Sequence, residues 1–389
     1  MKTAFWFSLF IIFYTYLGYG IVLFIMVLIK RMVKGKFKAP KYDYLPSLTV
    51  VVAAYNEADF IAQKIKNTLQ LEYPKDKIEY IFVTDGSTDN TPQIVAQHAG
   101  IQLLHSAERK GKIAAMHRAV QQVKTDIIVF TDANTFLNSQ ALLNIARHYV
   151  NPKVGAVSGE KRVQIDETAD ATAGEGMYWK YESKLKSWDS ELYSVVGAAG
   201  ELFSVRTNLY QPVPANSIID DFMISMLIAK KGYTIVYEPN AYASENTSEN
   251  IKEELKRKIR IAAGGIQSIV WLKSLLLPIQ YPLLSFQYIS HRVLRWTVTP
   301  FFMIAAFILN WIIIVEEPSL IFTLLLIGQV SFYSMALLGW FFESRQVKVK
   351  LLFIPYYFCM MNWAVLAGIV RYLKGNQSVL WEKAGRKMN

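Results

Sequence analysis

Cysteine is almost missing from the chain: Cys359 stands alone among 389 residues. One thiol excludes an intrachain disulfide framework and any CxxC metal site. Histidine is scarce too, with five residues and no HExxH-type spacing. Charged residues make up only 19% of the chain, against 52% hydrophobic. With a mean hydropathy of +0.20, such a chain is neither disordered nor wholly soluble. A thiol enzyme, a zinc finger and a secreted disulfide scaffold are therefore not expected. The charge that is present leans basic: 42 lysines and arginines against 31 acids leave +11. That excess suits nucleic acid, an anionic membrane surface or a phosphorylated substrate.

The apolar residues are unevenly spread. Ala4–Ile29 carries no charge and exceeds the ~20 residues a membrane helix needs. A cleaved signal peptide has a shorter apolar core and a small-residue cleavage site; neither is present, so the segment reads as an anchor. Lys30, Arg31, Lys34, Lys36, Lys38 and Lys41 come directly after it, against Lys2 alone before it. The positive-inside rule then places the chain beyond Lys30 in the cytoplasm. Three more apolar stretches lie at 296–315, 320–342 and 351–370. The link at 316–319 has no basic residue and is expected outside. The link at 343–350 holds Arg345, Lys348 and Lys350 and is expected inside. The tail carries Arg371, Lys374, Lys383, Arg386 and Lys387 and favours the inside. Four crossings would leave it outside, so either the last stretch is re-entrant or the tail is exported. Ile266–Arg295 is apolar and aromatic, broken by Pro278 and Pro282, with Lys273, His291, Arg292 and Arg295. It suits the membrane interface, with a soluble core helix as the plain alternative. The expected layout is an anchor with its basic flank (1–41), a soluble domain (42–265), interfacial helices (266–295), a membrane region (296–372) and a basic tail (373–389).

The soluble segment reads as α/β. Strands are expected at Leu48–Ala53, Ile78–Val83, Ile101–Leu104 and Asp126–Phe130, from β-branched runs. Helices are expected over Asp59–Leu69, from about Thr91-Pro92, and over Lys112–Val123. The alternation predicts a doubly wound, mostly parallel sheet. In such sheets ligands bind past the carboxyl ends of the strands. Tyr55-Asn56-Glu57, Asp85 and Asp132 sit at those ends.

Five short motifs occur in order: Ala54-Tyr55-Asn56-Glu57, Thr84-Asp85-Gly86-Ser87-Thr88-Asp89, Gly111-Lys112-Ile113-Ala114-Ala115, Thr131-Asp132-Ala133-Asn134 and Asp220-Asp221. Together they resemble glycosyltransferase family 2, in particular its membrane-bound branch of poly-N-acetylglucosamine, hyaluronan and cellulose synthases. The resemblance covers about Leu48–Gln267 and implies a GT-A-like nucleotide-sugar fold in the cytoplasm. It makes Asp85 a nucleoside contact, with Tyr55, Asn56 and Glu57 beside it; an Asx turn is the plain alternative. Asp132 takes the first place of the family's DxD motif, implying a Mg2+ or Mn2+ ion on the diphosphate. Asn134 stands where the second carboxylate belongs; its amide oxygen coordinates more weakly and adds no charge. Lys112, at a helix start, suits a phosphate or a solvated basic turn.

Asp221 aligns with the second acid of the family's ED or DD motif, which deprotonates the acceptor. Asp220 reads as the helix N-cap, leaving Asp221 first in the helix; both acids complementing the helix dipole is the bland alternative. Gly197-Ala198-Ala199-Gly200 resembles the small-residue turn that lets an acceptor approach. Tyr178, Trp179 and Trp188 flank it and read mainly as packing residues. Lys256-Arg257-Lys258-Ile259-Arg260 falls where processive members carry QxxRW. Arg260 matches the arginine that could hold a diphosphate, Arg257 takes the glutamine's place, and Ile261 replaces the tryptophan. A juxtamembrane patch binding anionic lipid is the alternative.

The resemblance therefore implies an integral protein of a bacterial-type plasma membrane. It would transfer sugar from a UDP-sugar to a glycan with inversion, and it leaves room for an accessory export subunit. The rival expectations are one transfer to a lipid acceptor, such as a polyprenyl phosphate or diacylglycerol, and a decayed, non-catalytic scaffold. Nucleic acid is not an expected partner, because the basic residues cluster beside the spans rather than across a domain face.

Overall fold

The computed structural model describes residues 1–164, 172–246, 251–345, 347 and 349–375. Lys348 and the tail residues Lys383, Arg386 and Lys387 lie outside the described residues, as does the side chain of Tyr178. In chain order the helices are α1 (Lys2–Phe13), α2 (Tyr19–Lys34), α3 (Ala58–Leu69), α4 (Thr91–Ala96), α5 (Lys112–Val120), α6 (Ala141–Ala146), α7 (Thr172–Leu192), α8 (Asp220–Lys230), α9 (Ile251–Trp271), α10 (Pro282–Tyr288), α11 (Leu294–Trp296), α12 (Thr299–Glu316), α13 (Leu320–Ser344) and α14 (Lys350–Leu373). The strands are β1 (Leu48–Ala54), β2 (Ile78–Asp85), β3 (Gln102–Ser106), β4 (Ile127–Asp132), β5 (Phe136–Leu137), β6 (Val154–Gln164), β7 (Leu202–Arg206) and β8 (Thr234–Asn246). The chain divides into two compact units.

One unit, drawn from 27–164 and 186–246, holds the sheet. Its strand order is β3-β2-β1-β4-β7-β6-β8-β5. The pairs β3/β2, β2/β1, β1/β4 and β6/β8 are parallel; β7 runs antiparallel to β4 and β6, and β5 to β8. The sheet is mixed but mostly parallel. β1 lies at the middle of the parallel part and is almost entirely buried, as its run of branched residues requires. Leu48, Val50 and Val52 alternate into a core with Ile61 and Ile65 of α3, Phe82 of β2 and Val129 of β4. Register then fixes the strand ends: Ala53 pairs with Val83 on one side and Asp132 on the other. The polar ends of β1, β2 and β4 therefore share one edge. The helix expected to reach Val123 stops at Val120.

The other unit, drawn from 1–26, 172–185 and 251–375, is helical. Among the described residues four helices are long and apolar enough to cross a membrane: Lys2–Lys34, Thr299–Glu316, Leu320–Ser344 and Lys350–Leu373. Phe5 of α1 packs edge-on against Phe322 of α13 at 5.5 Å, with Ala306 and Ile313 of α12 around them. Lys2 pairs with Glu317, so the start of α1 and the α12–α13 link share one end of the bundle. Polar side chains meet between spans: Tyr16 Oη donates to Asn362 Oδ1 at 2.7 Å, and Asn310 Nδ2 to Gln329 Oε1 at 3.0 Å. Small residues permit close helix contact: a Cβ at Gly368 of α14 would stand 2.6 Å from Ala262 Cβ of α9. α9 runs unbroken to Trp271, through the point where the sequence places the start of the interfacial segment.

Candidate active site

Loops close against the carboxyl tips of the parallel strands. Asp85 is buried, and its Oδ2 accepts from the backbone N–H of Lys110 (2.8 Å) and Gly111 (2.6 Å). It thereby holds the loop that opens α5. Its Oδ1 is buried without a hydrogen-bond partner, 3.7 Å from an Arg118 nitrogen. A carboxylate oxygen left so costs free energy and suits a ligand hydroxyl or imide N–H. Gly86 is the residue that lets the loop close: its φ is +67°, and a Cβ there would stand 2.5 Å from Arg109 Cβ.

The Arg109 guanidinium lies over the Tyr55 ring at 3.7 Å, a cation–π contact. Asn56 is in the left-handed region at φ 53°. Its Oδ1 accepts from Thr88 N–H at 2.8 Å, and the Glu57 N–H donates to Thr91 Oγ1 at 2.9 Å. These bonds pin the turn after Asp85.

Lys112 begins α5 and donates to Asp132 Oδ1 at 2.6 Å. Burial opposes its charge, but Asp132, Asp220 and Asp221 together hold its ammonium protonated above the usual lysine range. Asp132, at the end of β4, is thus aimed at a cation already. Asp132 and Asn134 offer one carboxylate and one amide oxygen. Among the described residues no group of three or more His, Cys, Asp or Glu side chains could hold a metal ion. The pair fits a hard divalent ion that keeps waters and takes its other ligands from substrate phosphates.

The Gly197–Gly200 turn meets the start of α8. The helix starts at Asp220, and Ile219, with non-helical backbone and no side-chain cap bond, is the N-cap. This corrects the sequence expectation: Asp220 is the first helical residue and caps nothing. Asp220 is buried, and its Oδ2 has no hydrogen-bond partner. Gly197 has φ +83°, and a Cβ there would meet the Phe222 ring at 2.1 Å. The Ala198 N–H donates to Ser225 Oγ at 2.9 Å and the Ala199 N–H to Ser158 Oγ at 3.1 Å. A Cβ on Gly200 would stand 3.0 Å from Asp221 Oδ2. Burial, with Asp220 beside it, pushes the Asp221 carboxyl up to about 7, against the pull of Lys112. A carboxylate so tuned suits proton abstraction near neutral pH.

Arg257 and Arg260 lie on α9 in the helical unit. The Arg257 fork is turned onto buried Glu254, with Nε–Oε2 and Nη2–Oε1 both 3.2 Å. Lys258 reaches the same carboxylate at 3.3 Å and lies over the Trp179 ring at 5.3 Å. Arg260 is half-buried.

Sequence reasoning missed Lys64. It is fully buried on α3, and its Nζ donates to Thr131 Oγ1 at 2.9 Å and the Thr135 carbonyl at 2.7 Å. Burial pushes its ammonium down to about 7, with Asp132 opposing the shift. The periodic signal is there to be read: Ile61, Ile65 and Thr68 share its buried face. His117 faces the Tyr210 hydroxyl, and its Nε2 lies 3.0 Å from the Val213 carbonyl oxygen. It holds the segment after β7 against α5.

The mixed, mostly parallel sheet is like that of a GT-A glycosyltransferase. A mannosyltransferase from Pyrobaculum calidifontis, solved in complex with GDP-Man and Mn2+, has this fold: TM-score 0.67 over 92% of this chain and 99% of that one, at 23% identity. Residues 49–211 match the model of Glycosyl transferase family 2. The poly-beta-1,6-N-acetyl-D-glucosamine synthase of Staphylococcus aureus (strain MSSA476) is 27% identical over 234 residues, 57% of this chain and 55% of that protein. Over that match the chain spans about half the length of its relative. The synthase of the same description from Staphylococcus epidermidis is 24% identical over 354 residues, 85% of this chain and 83% of that one.

Proposed function

We propose that the chain is a membrane-embedded, inverting β-glycosyltransferase that draws on a cytoplasmic UDP-sugar and extends a polysaccharide. The observation that carries this reading is Asp221, half-buried, raised to about 7 and seated against Gly200 at the start of α8. Asp221 Oδ2 takes the proton of the acceptor hydroxyl. The freed oxygen bonds to the sugar's anomeric carbon as the bond to the diphosphate breaks on the opposite face. One displacement inverts that centre, so an α-linked donor gives a β-linked product.

Asp85 and the loop at Lys110-Gly111 orient the nucleoside, and Lys112 offsets phosphate charge. Asp132 and Asn134 would hold Mg2+ or Mn2+. Such an ion, when bound, neutralises charge on the leaving diphosphate.

The poly-N-acetylglucosamine synthases among the relatives support polymer formation. The mannosyltransferase neighbour supports a nucleoside-diphosphate sugar and a divalent ion, with guanine in place of uracil. Ile261, where processive members carry tryptophan, favours a second reading: one sugar transferred to a lipid acceptor. Purified protein is tested with UDP-GlcNAc, UDP-Glc, UDP-GlcA, UDP-Gal and GDP-mannose, scoring nucleotide release and product size. Release of UDP with a ladder of products supports the first reading. One lipid-soluble product supports the second, and no release from any donor contradicts both.

A further inference from the structure

Lys64 has no task in the proposed sugar transfer, yet its position is costly. Burying an ammonium is unfavourable unless geometry repays it. Among the described residues no carboxylate lies within ion-pair distance of it; its bonds go to Thr131 Oγ1 and the Thr135 carbonyl. Stability alone is better served there by an apolar side chain of the same size.

Those two bonds bracket Asp132-Ala133-Asn134. Thr131 Oγ1 passes the chain of bonds on by donating to the Glu201 carbonyl at 3.0 Å. Thr135 Oγ1 donates to the Asp132 carbonyl at 3.1 Å. One ammonium thus ties both ends of the turn that bears Asp132 and Asn134. It also ties that turn to the residue after Gly200, beside Asp221.

We propose that Lys64 is a positioning residue: its buried ammonium fixes the Thr131–Thr135 turn so that Asp132 and Asn134 keep the spacing a divalent ion needs. This inference rests on the transferase reading. Loss of a residue that orients a metal ligand weakens metal affinity about 10–100-fold.

The test uses the full chain in detergent, with Mn2+ titrated against UDP and against GDP by electron paramagnetic resonance, and thermal unfolding followed in parallel. Lys64→Met is expected to bind Mn2+ in the nucleotide complex at least about tenfold more weakly while its Tm holds or rises. Thr131→Val, which removes the accepting hydroxyl, is expected to weaken Mn2+ in the same direction. It decides the matter if Lys64→Met does not fold. A purely structural lysine gives the opposite pattern, a lower Tm with Mn2+ affinity unchanged in the variants that fold, and that overturns the proposal. A wild type that binds Mn2+ with neither nucleotide overturns the transferase reading and this inference with it.

Discussion

Gly200 faces the Asp221 carboxylate: a Cβ on Gly200 would stand 3.0 Å from Asp221 Oδ2. That is closer than an ordinary side-chain contact, so the carboxylate has its place because the turn has no side chain there. Gly200→Ala is expected to push the carboxylate aside. A contact at that distance moves the carboxylate by a few tenths of an ångström, short of the ~1 Å that costs about 100-fold in rate, so turnover should fall by up to about 10-fold with the protein still folded. Steady-state UDP release with circular dichroism checks this; full turnover in the alanine variant would show that the contact does not set the site.

The pH dependence has a definite sign. Asp221 is pushed up to about 7 by burial and Asp220, and a base works only when deprotonated. Turnover should rise with pH through about 7. Stability moves the other way: a carboxyl with a raised folded-state pKa contributes stability below its unfolded value that is lost as pH rises through its folded value. Asp221→Asn should therefore raise Tm relative to wild type at about pH 8, with the gain shrinking toward about pH 4. Thermal unfolding at the two pH values is the check, and a gain no larger at the higher pH than at the lower speaks against the shift.

Lys112 and Asp132 are paired at 2.6 Å in the ligand-free chain. A diphosphate and a divalent ion would compete for the two partners. Charge-assisted bonds of this kind are worth ~1.5–3 kcal/mol, so Lys112→Met should raise the KM for donor about tenfold or more. Mn2+ should meanwhile bind more tightly in the absence of nucleotide, since Asp132 is released. Calorimetry with Mn2+ alone and kinetics on the donor read the two effects separately; a variant unchanged in both would remove Lys112 from the site.

In the helical unit Glu182 of α7 is buried and gathers His291 at 3.2 Å, Arg292 at 2.9 Å and Arg295 at 3.0 Å. Burial alone would raise its pKa, but these three partners hold it well below the usual carboxylate range. Its stabilising effect is present above pH 4.5 and lost as pH falls through its lowered value. Breaking one side of a buried ion pair costs ~3–5 kcal/mol. Glu182→Gln should accordingly lower Tm in detergent at neutral pH. The loss should be large beside that of Glu253→Gln, whose Lys256 partner is exposed.

Much of the parallel half of the sheet is legible in the sequence. β1, β2 and β4 are continuous β-branched runs, and the sequence places each to within two residues because only a strand buried on both faces reads that way. The antiparallel β7, inserted between β4 and β6, carries no local mark. Its place depends on pairings between segments far apart in sequence.

The start of α8 misleads because aspartate is a favoured N-cap. Here Ile219 holds the non-helical backbone, with φ −124° and ψ 84°. Lys64 escapes notice because lysine normally faces water, although its neighbours Ile61 and Ile65 mark that face as buried. Arg257 shows the limit of motif matching: its guanidinium meets Glu254 one turn back, a contact that no alignment to a short motif contains.

The central claim is that Asp221 removes the acceptor proton. The most direct measurement is UDP release by purified full-length Asp221→Asn beside wild type, above neutral pH, with the best donor of the panel. General-base catalysis contributes ~100- to 10,000-fold. The account predicts a loss of at least about 100-fold with UDP affinity preserved and Tm no lower than wild type. Turnover by the asparagine variant at the wild-type rate would contradict it.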